Sequence, residues 1–220
     1  VFGQLCYPMH MAVLHKVPLV FYGENAELYY GGDASSANKP CWDSSEWDRV
    51  YLKGIGIGRL LSIGMEVGAL NEKDIRELST FYHLPNKTDM DPAVEGSPQF
   101  HWFSYYRDWA PQSNFYHAAE HTGFQTNSGR SEGTYSKYAS LDDQLDGFHY
   151  YFSYLKFGLG RATSDACHEV RDSEITREEA EALVKRYDGE FPIKYYETFK
   201  EYIGIDDEQF RKVAARFSRS

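Results

Sequence analysis

The stretch Tyr138 to Arg171, YASLDDQLDGFHYYFSYLKFGLGRATSDACHEVR, sets the frame for the rest of the chain. Ser140 is placed to cap a helix, with Asp143 three residues on completing a weak capping box. Two stripes run down the expected helix. Leu141, Leu145, Phe148, Phe152 and Leu155 carry the spacing of a buried face. Asp142, Asp146, His149, Ser153 and Lys156 repeat that spacing one residue later, so ionisable groups lie beside the core-facing line, not opposite it. A charged stripe on a helix is ordinarily a solvated face. Here Phe157-Gly158-Leu159-Gly160 breaks the helix and Arg161 follows at once. Two cations, Lys156 and Arg161, around a glycine-loosened turn suit phosphate groups, because the backbone can approach closely and a guanidinium can hold two oxygens.

Outward from that stretch, composition bounds the function. The chain has 220 residues, enough for one extended domain or two small ones, and 42% of them are hydrophobic. The 33 acidic residues outnumber the 23 basic ones and give a net charge of −10, which argues against a nucleic-acid partner. No run of about 18 apolar residues and no signal peptide occurs, so a soluble cytoplasmic protein off the membrane is expected. Cys6, Cys41 and Cys167 are far apart, match no zinc spacing, and are expected to be small buried hydrophobes. The 18 Tyr can wall a sugar or nucleotide site, though most aromatics are expected to fill the core.

In chain order, Phe2 to Lys16 reads as a helix ended by Pro18. Leu19-Val20-Phe21-Tyr22 is a short apolar strand of the parallel type, and Glu24-Asn25 follow at its carboxyl end, where open α/β sheets bind ligands. Glu24 there can coordinate magnesium or orient a substrate, with Asn25 hydrogen-bonding to it; equally, the pair can form a turn and cap a short helix. Gly31 to Ser45 is a long loop. The GIGIGR run from Gly54 lacks the glycine spacing and the preceding strand of a dinucleotide site. Asn71 with Asp74 caps a helix reaching about Tyr82. Phe100 to Tyr106 is expected to be a second strand, followed by Asp108 on the ligand-facing edge and by a helix from Pro111 to Gly123. Gln125 to Tyr138, rich in glycine and serine, suggests a mobile loop. Thr176 with Glu179 and Asp206 with Gln209 are capping boxes, and Pro192 and Gly204 bracket a further helix. The expectation is α/β: a mostly parallel sheet through residue 137 and a helical segment over 138–220.

The ordered set Lys156-Phe157-Gly158, Gly160-Arg161-Ala162-Thr163, Asp165-Ala166, Ile175-Thr176-Arg177-Glu178-Glu179 and Tyr187-Asp188-Gly189-Glu190 resembles the C-terminal part of the N-acetyl sugar amidotransferases of bacterial surface-polysaccharide (lipopolysaccharide, O-antigen) biosynthesis. Pro18 to Asn25 resembles an earlier part of the same family. The resemblance implies a Rossmann-like PP-loop ATP pyrophosphatase fold. It implies an enzyme that adenylates the amide oxygen of an N-acetyl group on a nucleotide-linked sugar, using ATP and Mg²⁺. Ammonia from a separate glutaminase subunit then displaces AMP and leaves an acetamidino group. Lys156 and Arg161 would hold phosphate, Glu24 and Asn25 would contact nucleotide, and Lys156, Arg161 and His149 would serve the chemistry. Asp142, Asp146 and Asp108 would bind substrate. No side-chain set is assigned to a metal, and a homo-oligomer is left open.

The family's Ser-Gly-Gly-x-Asp-Ser loop and its cysteine pairs do not occur in these residues. Both are expected upstream of Val1, and the chain by itself is expected to be inactive. Two other classes stay open: a PP-loop enzyme that modifies tRNA, against which the acidic balance weighs, and a non-enzymatic binding module.

Overall fold

The structure, a computed structural model, describes residues 2–23, 38–41, 55–86, 88–91 and 93–218. The chain divides into two compact units, Val1–Asp108 and Trp109–Ser220. The boundary anticipated at residue 137 falls inside the second of them.

In the first unit, α1 (Phe2–His15) leads through Pro18 into β1 (Leu19–Tyr22). This strand pairs in parallel with β2 (Gln99–Trp102), Leu19 opposite Gln99 and Tyr22 opposite Trp102. Strand alternation puts Val20, Tyr22, Phe100 and Trp102 on one face, where they pack with Leu5 and Met9 of α1. Met9 and Trp102 are fully buried. The Tyr22 hydroxyl donates to the Leu5 carbonyl at 2.8 Å, tying strand to helix, and burial pushes the Cys6 thiol up to about 11. Between the strands lie α2 (Ile57–Glu66), α3 (Glu72–Glu77) and α4 (Ser79–Tyr82). Asn71 and Asp74 form the anticipated reciprocal cap, but the helix is interrupted at Leu78.

The second strand is shorter than Phe100 to Tyr106. After Trp102 the chain turns into α5 (Phe103–Tyr106). The helical turn brings Phe103 and Tyr106 onto the same ring, their centroids 5.7 and 5.9 Å from that of Phe21. Phe103, Tyr105 and Tyr106 follow no strict two-residue alternation, and the three-residue spacing of Phe103 and Tyr106 prevails.

The second unit is helical among its described residues: α6 (Pro111–Thr122), α7 (Asp146–Phe157), α8 (Arg161–Arg171), α9 (Arg177–Tyr187), a 3₁₀ turn (Ile193–Tyr195), α10 (Tyr196–Ile203) and α11 (Asp207–Phe217). Caps fall where composition placed them. Gly123 and Gly204 adopt left-handed C-caps, while Thr176–Glu179 and Asp206–Gln209 are reciprocal boxes. Phe148 of α7 is the hub of the core, stacked on Phe199 at 4.0 Å and edge-on to Phe191 and Phe210. Burying Phe148 and Phe210 contributes about 1.5–3 kcal/mol each. Ala162 and Ala166 of α8 and Ala180 of α9 are also buried, and their small side chains let helix backbones approach.

The organising helix starts at Asp146, not after Ser140. Ser140 takes a left-handed φ of 53°, and Asp143 accepts from the Leu145 amide at 2.7 Å. That local carboxylate–amide bond replaces the Ser140–Asp143 box and keeps residues 141–144 out of the helix. Leu141 is accordingly exposed. The cysteine expectation holds for Cys6 alone, since Cys41 and Cys167 are exposed. Among the described residues no helix is long and apolar enough to cross a membrane.

Candidate functional site

The segment expected to be a mobile loop is instead laced to the helices around it. Arg130 grips Glu190 through two N–H···O contacts of 2.6 Å and donates to the Thr134 carbonyl at 3.2 Å. Glu190 also accepts from the Gly133 amide at 2.8 Å. Glu132 accepts from the Lys194 amide, Thr134 donates to Asp165 at 2.6 Å, and Gly133 accepts from the Ala162 amide. Thr134 is fully buried by these contacts. The hydrogen bond from Arg130 holds the Glu190 carboxyl below the usual carboxylate range and raises the Arg130 guanidinium in turn.

Beneath the loop lies Arg161, at the first position of α8. Its Nε donates to Asp165 at 3.0 Å, one helical turn on, and its Nη1 donates to Asp146 at 3.0 Å and to the Ser140 hydroxyl at 3.3 Å. Its guanidinium sits 4.5 Å from the centre of the Tyr150 ring. Ser140 in turn donates to Asp146. Burial lowers the Arg161 pKa, but Asp165, Tyr150 and Asp146 outweigh burial and raise it, so the side chain stays cationic. The start of α8 is fastened from behind by Asp188, whose carboxylate accepts from the Gly160 and Thr163 amides at 3.0 and 3.1 Å. That close approach requires a glycine: a Cβ on Gly160 would stand 2.6 Å from Asp188 Oδ1.

The loop and helix starts enclose a polar cavity of about 350 Å³. Arg130 and Arg161 line it from below, Asp142, Asp143 and Gln144 from the turn before α7, and Lys194 with Tyr195 from the 3₁₀ turn. Of the residues singled out in the sequence, the structure brings Asp142 and Arg161 to this cavity and sets Asp146 directly behind it as the partner of Arg161. Lys156 does not reach it. Its ammonium lies over the Phe157 and Phe217 rings, at 5.0 and 5.8 Å, at the other end of α7. His149 is exposed on α7 and packs edge-on to Tyr150. Asp108 is exposed at the end of the first unit, and Glu24 and Asn25 lie outside the described residues.

The sequence reading missed Glu169, Thr134 and Lys194, and gave Asp165 a place in the motifs but no role. Arg161, Asp165 and Glu169 recur at intervals of four, which sets them along one face of α8, and that spacing was the available signal. Thr134 and Lys194 had none, because long-range folding alone brings them here.

The model of the family described as LPS biosynthesis protein WbpG-like, C-terminal domain, matches residues 132–220. Residues 132–220 are thus similar to a WbpG-like C-terminal domain. This is a lipopolysaccharide-biosynthesis family, in agreement with the resemblance seen in the Lys156 to Glu190 motifs. No curated protein matches the chain. The WbpG-like domain begins at Glu132, inside the laced loop, and takes in Arg161, Asp142 and Lys194.

Among the described residues no group of three or more His, Cys, Asp or Glu side chains is arranged to hold a metal ion. The PP-loop sequence that would cradle ATP phosphates is likewise not part of these residues. ATP and Mg²⁺ are therefore assigned to no residue among those described.

Proposed function

We propose that the WbpG-like domain supplies the sugar-nucleotide side of an ATP-dependent amidotransferase, which turns an N-acetyl group on a nucleotide-linked sugar into an acetamidino group. The observation that carries this reading is the polar cavity of about 350 Å³, lined largely by residues of the segment that matches a lipopolysaccharide-biosynthesis domain. Its walls offer opposite chemistries to the two halves of such a ligand. Asp142 and Asp143 can accept hydrogen bonds from sugar hydroxyls. Lys194 and the outer edge of Arg161 can take phosphate oxygens.

Arg161 is suited to that use because Asp146 and Asp165 fix its plane. Among the described residues they leave Nη2 without a hydrogen bond. Lys156 stands apart from the cavity, so the phosphate contact passes in this reading to Lys194. A glutaminase subunit supplying ammonia, a Rossmann-like sheet in the whole protein and a cytoplasmic setting belong to the same proposal.

Titration of UDP-N-acetylglucosamine into the protein tests the site. Lys194→Ala and Asp142→Asn should each weaken binding about tenfold, or about 1.4 kcal/mol, without loss of helicity. Wild-type affinity in both variants would remove the ligand from this cavity. In the full gene product with ATP, Mg²⁺ and ammonium, mass spectrometry should find the acetamido oxygen replaced by nitrogen and pyrophosphate released. A bound but unconverted sugar nucleotide would overturn the reaction and leave the site.

A further inference from the structure

The stripe on α8 does not end at Asp165. One turn further, Glu169 lines a second cavity of about 490 Å³, within the roughly 300–1,000 Å³ typical of small-molecule sites. The same loop separates the two cavities: residues 127–132 and Thr134 border the first, and Tyr135 to Tyr138 border the second. Phe115 and Tyr138 line it as a stacked pair, 4.7 Å apart and 16° from parallel. Its polar groups are held in place. The Tyr135 hydroxyl donates to Glu169 at 2.9 Å, the Tyr138 hydroxyl donates to Gln112 at 2.8 Å, and Ser113 donates to Glu174 at 3.3 Å.

The balance of these groups selects a ligand class. The cavity presents one ammonium, that of Lys137, against the carboxyls of Glu169 and Glu174, so it has no cationic cluster for a phosphate. It is no strong cation trap either. Burial, with Glu174, Asp165 and Asp172 nearby, raises the Glu169 carboxyl toward its neutral form, against the lowering effect of the Tyr135 bond. Burial also pushes the Tyr138 hydroxyl up to about 12 and raises that of Tyr135, so both remain protonated at neutral pH. What remains is an aromatic wall with alternating donors and acceptors. A pyranose has the complementary surface, an apolar C–H face and a rim of hydroxyls that both give and accept hydrogen bonds. We propose that the cavity walled by Phe115, Tyr135 and Tyr138, with Gln112 and Glu169 at its polar edge, binds the ring of a neutral saccharide. This site is separate from the sugar-nucleotide cavity and does not depend on the proposed reaction.

Saturation-transfer NMR with N-acetylglucosamine, chitobiose and chitotriose tests the assignment, with inorganic phosphate and tetramethylammonium as anionic and cationic probes. At least one saccharide should bind saturably and should not be displaced by either ion. Glu169→Gln keeps an acceptor for Tyr135 and should weaken saccharide binding at least fivefold. Ile175→Trp, which fills the cavity from its rim, should abolish it. Both variants should retain wild-type helicity and wild-type affinity for UDP-N-acetylglucosamine, whose loss would instead mark damage to the first cavity. Absence of saturable saccharide binding, displacement by phosphate or tetramethylammonium, or unaltered binding in both variants would overturn the assignment.

Discussion

Replacing Arg161 by methionine removes the charge while keeping most of the side-chain length, and the structure sets the expected cost. Two charge-assisted hydrogen bonds, to Asp146 and Asp165, are lost at about 1.5–3 kcal/mol each. The contact with Tyr150 adds about 0.5–1 kcal/mol. Against this, a guanidinium no longer has to be desolvated. The Arg161 side chain is 20% exposed and its partners are 25% and 19% exposed, so water screens some of the gain. The net loss should be about 3 kcal/mol, most of it the cost of leaving two carboxylates close together under the loop. For a unit of this size that lowers the melting temperature by about 10 °C or more. Hydrogen exchange should localise the loosening to α7, the start of α8 and residues 130–140. Arg161→Lys restores the charge without the fork and should recover less than half of the loss. In a double-mutant cycle, Arg161→Met with Asp165→Asn should cost less than the sum of the single changes, because the second removes a charge the first leaves stranded. A loss below about 1 kcal/mol, with wild-type exchange in the loop, would refute the claim that this ion cluster holds the cavity together.

Gly189 has a φ of 80°, and a Cβ there would come within 2.4 Å of the Tyr154 ring, so Gly189→Ala should destabilise by about 2 kcal/mol or more, seen as a lower urea midpoint at unchanged slope. The Arg130–Glu190 pair predicts a pH dependence. Arg130 depresses the folded-state pKa of Glu190, so the pair's stabilisation is present above the unfolded value, about 4.3, and is lost as pH falls through the lower folded value. Thermal melts should therefore separate wild type from Glu190→Gln at pH 6–7, with the gap closing below about pH 4; a gap that widens in acid would contradict the pairing. Thr134→Val is nearly isosteric but takes the donor from Asp165, and should cost about 1–3 kcal/mol by chemical denaturation.

What was legible in the sequence is what local chemistry decides. The capping boxes at Asn71, Thr176 and Asp206 and the left-handed glycines at 123 and 204 need only three or four consecutive residues, and each falls where its residues placed it. The parallel pairing of Leu19–Tyr22 with a segment near Phe100 was also legible, since a short apolar run after a proline has few other uses. The failures share a physical cause, which is competition between two local solutions of similar energy. Residues 140–145 satisfied a helix pattern, yet the Asp143–Leu145 contact offers the backbone an alternative. Residues 103–106 are aromatic at three of four positions and carry little phase. The candidate site was half legible. Arg161 and Asp142 were found from spacing and resemblance, whereas Lys156, five residues before Arg161, ends up over Phe217, with the left-handed helix end at Gly158 between them.

The composition of the loop explains why it can be ordered and polar at once. Residues 127–137 contain no Ala, Val, Leu, Ile or Met, so aliphatic burial cannot fix them. Instead the anchors are hydrogen bonds to the segments around the loop: Arg130 and the Gly133 amide to Glu190, Glu132 to the Lys194 amide, Thr134 to Asp165. Such anchors are directional, and they fix the position of a cavity wall more tightly than apolar contacts of equal free energy. They also couple the walls. Asp165 meets Arg161 through one oxygen and Thr134 through the other, so a ligand that draws on the Arg161 guanidinium alters the charge felt by the loop. A polar cavity framed this way is formed before its ligand arrives, and binding then has less conformational entropy to lose. The domain thus invests its buried charges in shape, and the same residues that would contact a sugar nucleotide keep its site open.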